Sequence, residues 1–212
     1  MNGIKIILTA MTIMLAPTLT EAATPNEFIS EAMNVLGDKL EGRRTALADD
    51  SVALYAVIDE LLLPRFDRRF AAQQVLARHW KEASDEQRGR FIDAFYTILV
   101  QRYADGVLEF EHDRIKVLPF RGDTSKRTVV VKTRVDLEDG TNVSVNYTLI
   151  SRESGWMMFD VIIEGVSYIR NFRTEFDSEI RASSVEQVIA RLEDEAMENE
   201  AMENEVAENN SE

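Results

Sequence analysis

The chain has 212 residues, a formal net charge of −14 and no cysteine. That length allows one domain with a sizeable core, while the missing thiols exclude disulfides, cysteine nucleophiles, thiolate metal sites and lipidation at a Cys. The charge balance leaves no basic stripe for nucleic acid and no polybasic run to hold the chain on anionic lipid.

Lys5, the largely apolar stretch Ile6 to Ala16, Pro17 and the small residues Ala22 and Ala23 read as a cleaved secretory signal over residues 1–23. The apolar run falls short of the ~20 residues needed to span a bilayer. The mature protein is therefore expected to be exported and soluble, with a stability that comes from its core alone.

Residues 24–192 read as the folded domain, and its first half is helical. Thr24, Pro25 and Glu27 form a capping box with Pro at the first helical position. They open a helix with an apolar stripe of Ile29, Met33, Leu36 and Leu40, which Gly42 closes. Asp49 or Asp50 caps a second helix carrying Val52, Tyr55, Ile58, Leu61 and Leu62, stopped by Pro64. Phe66, Phe70, Leu76 and Trp80 mark a third. Ser84 and Gln87 make another capping box, followed by Phe91, Phe95, Ile98, Leu99 and Tyr103 at helical spacing.

From Ile115 the apolar period becomes two, the signature of strands. Val129, Val131, Val135 and Leu137 alternate with polar residues, and so do Val143, Val145, Tyr147 and Leu149 after Asp139 and Gly140. A two-residue turn would set apolar residues opposite polar ones. A three-residue turn with Gly140 in the left-handed conformation pairs Val135 with Val143 and Val131 with Tyr147, and is the expected geometry. The strand from Trp156 to Ile163 is apolar on both faces apart from Asp160, so both faces should be covered. Ser167 can cap a helix with the stripe Ile169, Phe172, Phe176 and Ile180. Ser184 and Gln187 open a last short helix with Val188, Ile189 and Leu192. A block of strands between helical blocks predicts an α+β fold: N-terminal helices, an antiparallel sheet of about four strands, and C-terminal helices packed on the sheet around an apolar cavity.

Residues 193–212 repeat a five-residue unit rich in Glu and carry no basic residue. Five matches neither the 3.6 nor the 3.5 residue period, so no apolar stripe forms, and like charges repel. Disorder is the expectation there.

Catalytic patterns are sparse. His79 and His112 are the only histidines, and both are expected on the surface or at helix flanks. No phosphate-cradling Gly-rich loop or nucleophile elbow occurs. Asp160 is the conspicuous carboxylate. A buried one must meet donors or a cation, so it should pair with Arg173 or accept from donors near Ser167. The rival reading makes it a general acid or base in the pocket of a cone-shaped α+β enzyme or small-molecule binding protein. An export chaperone shielding apolar segments is a third reading.

One family joins these pieces. Trp156, Asp160, Val161 and Glu164-Gly165-Val166-Ser167, followed by Asn171, Phe172, Arg173 and Phe176, closely resemble the C-terminal signature of the MlaC / toluene-tolerance family of phospholipid-binding ABC transport auxiliaries. Leu62, Leu63 and Pro64 with Phe66 and Asp67, Val75 and Leu76 with Trp80, and Ser84 and Gln87 with Phe91, Phe95 and Tyr103 extend the likeness over most of the domain. The acidic tail departs from it, and so does Ala77, where a Gly often follows the Val-Leu pair. The resemblance implies a periplasmic, non-enzymatic carrier that needs no cofactor and holds a phospholipid as cargo. Its implied partners are an outer-membrane lipoprotein–porin complex and an inner-membrane ABC transporter bearing MCE domains, and its implied role is to maintain outer-membrane lipid asymmetry. The lipid would lie among Phe91, Phe95, Leu99, Val131, Val145, Tyr147, Leu149, Phe159, Val161, Phe172 and Phe176, with no catalytic or metal-binding residue.

Overall fold

The computed structural model describes residues 23–109, 111–137 and 139–210, with side chains except at His112 and residues 204–210. The expected export signal lies outside the described residues but for its last one. Among the described residues, no helix is long and apolar enough to cross a membrane.

Helix α1 (Pro25–Leu40) begins as expected: the Thr24 side chain accepts from Glu27 N at 3.3 Å, and Glu27 Oε2 accepts from Thr24 N at 2.7 Å. Gly42 follows at φ +67° and turns the chain. A short helix that the pattern did not announce, α2 (Arg44–Ala48), precedes α3 (Ser51–Leu62), which Asp50 caps by accepting from Ala53 N. The buried stripe of α3 corrects the expected one. Leu54, Val57, Ile58 and Leu61 face inward, while Val52 is 59% exposed. The helix is apolar almost all round, so periodicity does not select a face and packing does.

The expected third helix is two. Residues Arg65 to Asp67 run beside the last long strand, with Met158 N donating to Arg65 O at 2.7 Å and Asp67 N to Met158 O at 2.8 Å. Asp67 then caps α4 (Arg68–Leu76), and α5 (His79–Glu82) follows a break at Ala77, whose φ is +47°. A left-handed backbone favours Gly, which accounts for the Gly that the resemblance places there. Helix α6 (Asp85–Leu108) opens with both arms of the Ser84–Gln87 capping box in place.

The sheet has five antiparallel strands in sequential order: β1 (Ile115–Val117), β2 (Thr128–Asp136), β3 (Asn142–Arg152), β4 (Gly155–Ile163) and β5 (Val166–Ser167). The β2–β3 register is the expected one, with Val135 opposite Val143 and Val131 opposite Tyr147. Leu137 N donates to Thr141 O, and Gly140 sits at φ +82°, as the three-residue turn requires. Between β3 and β4 the register shifts, leaving Phe159 as the extra residue of a bulge.

Helix α7 (Tyr168–Ala182) is capped by Ser167, which accepts from Arg170 N, and buries the expected stripe of Ile169, Phe172, Phe176 and Ile180. Helix α8 (Val185–Asn210) corrects two expectations: it is long, and it runs through the segment where disorder was expected. The acidic residues of the tail find cations across the helix interface. Arg90 on α6 donates to Glu193 at 2.6 and 2.8 Å, Arg102 to Glu195 at 2.8 Å, and Gln101 to the Ala196 carbonyl at 3.1 Å. Charge counting along the chain sees only the repulsion. The five-residue period still leaves Met197 and Met202 exposed.

Candidate functional site

Three apolar clusters form the interior. The first joins α4, α6, α7 and the start of α8. The second joins α1, α2 and α3 to the other face of α6. The third sets Ile29 of α1 against Val129, Val131 and Leu149 of the sheet. Within the first, aromatic rings fill the space: Phe91 and Phe95 stack at 5.6 Å, and Phe172 and Phe176 meet Phe95 edge-on at 5.2 and 6.1 Å. All four are at least 96% buried.

The first and second clusters leave a gap between them, which Met158 at the edge of the third also borders. A cavity of about 450 Å³ lies between the C-terminal half of α6 and β4, closed by the ends of α3 and α7. Helix α6 contributes Tyr96, Leu99, Val100, Tyr103, Ala104, Gly106 and Val107. Strand β4 contributes Met158 to Val161 and Ile163. Ile58 and Leu62 come from α3, Tyr168, Ile169 and Phe172 from α7, and Phe66 from the extended segment. The volume falls within the roughly 300–1,000 Å³ of small-molecule sites.

Two of the polar side chains on the wall are tied up. Tyr96 donates its hydroxyl to Asp59 at 2.6 Å, and burial, then the Asp59 carboxylate, push its pKa up. Asp160 is buried and accepts from Ser167 Oγ at 2.7 Å and from Ile169 N at 3.0 Å, at the start of α7, where the helix dipole favours a negative charge. It thus takes the donors near Ser167. Arg173 turns elsewhere, donating to the Gln74 carbonyl at 2.6 Å. Tyr103 and Tyr168, the other two polar residues, meet each other edge-on at 5.1 Å. Burial, then Tyr168, raise the Tyr103 pKa.

Of the residues expected to hold a ligand, Leu99, Phe159, Val161 and Phe172 line this cavity. Phe91, Phe95 and Phe176 lie in the filled cluster instead. Val131, Leu149 and Tyr147 lie on the sheet face that meets α1, where loss of water pushes the Tyr147 phenol up to about 12. Val145 pairs with Ile163, itself on the cavity wall. The wall residues that the pattern missed on α6 had a signal: Tyr96, Val100 and Val107 repeat at helical spacing with Tyr103, which the expected stripe already contained.

His79 stands at a helix end, as the first residue of α5, rather than on the surface: it is 7% exposed, and its Nε2 lies 2.8 Å from Asp177 Oδ1. Asp177 also accepts from Arg78 and Arg181, and its pKa is lowered, chiefly by the His79 hydrogen bond. This network sits outside the cavity. Among the described residues, no cluster of three or more His, Asp or Glu could hold a metal ion.

Comparison with known proteins points one way. A family model described as MlaC protein matches residues 30–194. The toluene tolerance protein ttg2D of Pseudomonas putida is 28% identical over 177 residues, covering 82% of this chain and 80% of that protein. The intermembrane phospholipid transport system binding protein MlaC of Haemophilus influenzae is 19% identical over 186 residues, covering 84% of this chain and 85% of its own. Among solved structures, a phospholipid-binding protein from Ralstonia solanacearum in complex with a phospholipid shares the fold with a TM-score of 0.74. It is 21% identical, and the match covers 84% of this chain and 99% of that one.

Proposed function

The chain belongs to the MlaC protein family, and from that membership we propose that it is a periplasmic phospholipid carrier. It takes lipid between an outer-membrane lipoprotein–porin complex and an inner-membrane ABC transporter bearing MCE domains, and so maintains outer-membrane lipid asymmetry. The observation that carries this reading is the apolar cavity between the first two clusters.

A buried methylene is worth about 0.8 kcal/mol, so two acyl chains in water would cost on the order of 20 kcal/mol. A carrier must offer a dry apolar space of similar solvating power, and it needs no reacting group. The wall supplies that: aliphatic and aromatic side chains, with Met158 and several Phe able to repack around a ligand. At about 450 Å³ the cavity has room for at least one acyl chain.

The enzyme reading would need a free carboxylate in the pocket, and Asp160 spends one oxygen on Ser167 and the other on Ile169. The deciding experiment is organic extraction of the mature protein, purified without detergent, followed by mass spectrometry. About one diacyl phospholipid per chain, with mixed head groups, is the expected result. Empty protein from a lipid-replete periplasm would overturn the reading.

A further inference from the structure

The cavity wall is buried or half-buried at every position but two. Tyr103 is 39% exposed, and Gly106 is exposed as well. They lie three residues apart on α6, on one face of the helix. Both touch the cavity and the solvent, so the cavity meets water there. At Gly106 an added Cβ would find no heavy atom within 4 Å, so nothing obstructs the opening at that point. Beside it, the Tyr103 ring crosses to Tyr168, the first residue of α7, with the centroids 5.1 Å apart and the planes at 74°. This contact joins two walls of the cavity at its rim.

We infer that the Tyr103–Gly106 edge is the mouth of the cavity and that the Tyr103–Tyr168 ring pair is its latch. The inference rests on the carrier reading and specifies where that carrier loads. An acyl chain passes over Gly106 when the Tyr103 ring leaves Tyr168, and the polar end of the ligand stays at this edge. An edge-on aromatic pair contributes enough beyond its buried area to change an opening equilibrium by between about two- and tenfold.

The test measures transfer of NBD-labelled phosphatidylcholine from vesicles into the protein, with uptake of the apolar dye N-phenyl-1-naphthylamine as a second readout. Tyr103→Ala and Tyr168→Ala should each speed phosphatidylcholine transfer by about two- to tenfold. The double variant should be no faster than either single one, since both remove the same contact. Tyr103→Phe and Tyr168→Phe keep the rings and should behave as wild type. Gly106→Trp should slow uptake of both probes at least tenfold while circular dichroism stays unchanged.

Wild-type rates in both alanine variants, or free uptake by Gly106→Trp, place the mouth elsewhere and overturn the inference. The dye separates the two readings. Wild-type protein that takes up dye but never phosphatidylcholine defeats the carrier reading, and the mouth then stands or falls on whether Gly106→Trp excludes the dye.

Discussion

The two halves of α6 follow the same helical spacing and end in opposite kinds of interior. In the first half, Phe91 and Phe95 meet Phe172 and Phe176 of α7, and four rings leave no space between them. In the second half, Leu99, Tyr103 and Val107 face β4 and the start of α7 across about 450 Å³ that no side chain fills. The difference lies in the partner. Phe172 and Phe176 of α7 close on the first half, whereas the cavity meets only Tyr168, Ile169 and one side of Phe172. An apolar stripe therefore says which residues point inward. Whether they meet a side chain or a void is decided by an element some 70 residues away.

Truncating one residue in each half tests this contrast most strongly. Phe95→Ala removes a ring from a filled cluster and should cost about 3–5 kcal/mol, as core Phe deletions do. Leu99→Ala removes a wall residue that already faces space, and should cost less than the ~2–5 kcal/mol of a close-packed Leu while weakening phospholipid retention. Urea unfolding of both variants, with bound lipid measured alongside, checks the pair. Equal stability losses would mean that the cavity closes in solution and that the halves do not differ.

Asp160 stands at the border between the halves, and its replacement should have the next largest effect. Its two oxygens hold Ser167 Oγ and Ile169 N, so they fix the start of α7 and with it Tyr168. Asp160→Asn keeps one acceptor, turns the other atom into a donor and removes the charge near the helix N-terminus. A loss of about 1–3 kcal/mol is expected. A variant of unchanged stability that has lost a catalytic turnover would reverse the structural assignment.

Much of the frame could be read from local chemistry. The caps at Thr24, Ser84 and Ser167 each need only residues within one turn, and the β2–β3 register needs only two alternating strands and Gly140. What could not be read depends on distant partners. The face of α3 is set by packing, because the helix is apolar all round. The break at Ala77 is imposed by the fold on a residue that does not favour it. For the site, the sequence pointed to inward-facing rings, and Phe91 and Phe95 do face inward. It held no measure of how much room those rings would have.

The tail gives the smallest expected effect, and it sharpens the contrast because α8 packs along both halves of α6. Arg90, in the filled half, holds both Glu186 and Glu193, and its hydrogen bonds lower the pKa of each. A carboxyl with a lowered folded-state pKa stabilises above its unfolded value, near 4.3, and loses that contribution as pH falls through the folded value. Ending the chain at Leu192 removes Glu193 and leaves Glu186 on Arg90. The truncated protein should stay folded and lipid-loaded, because Val188, Ile189 and Leu192 keep their buried places. Near pH 7 its Tm should fall by a few degrees, since the half-exposed Glu193 and Glu195 ion pairs and the Gln101–Ala196 hydrogen bond are lost together. As pH falls below ~4.3 and through the lowered value of Glu193 the gap should narrow, since acid removes from the full chain the Arg90–Glu193 part of what truncation removes. Added salt should narrow the gap in the same way. If the truncated protein instead unfolds or arrives empty, the helix beyond Leu192 is part of the wall's support, and the hollow half of α6 owes its shape to α8 as well as to α7.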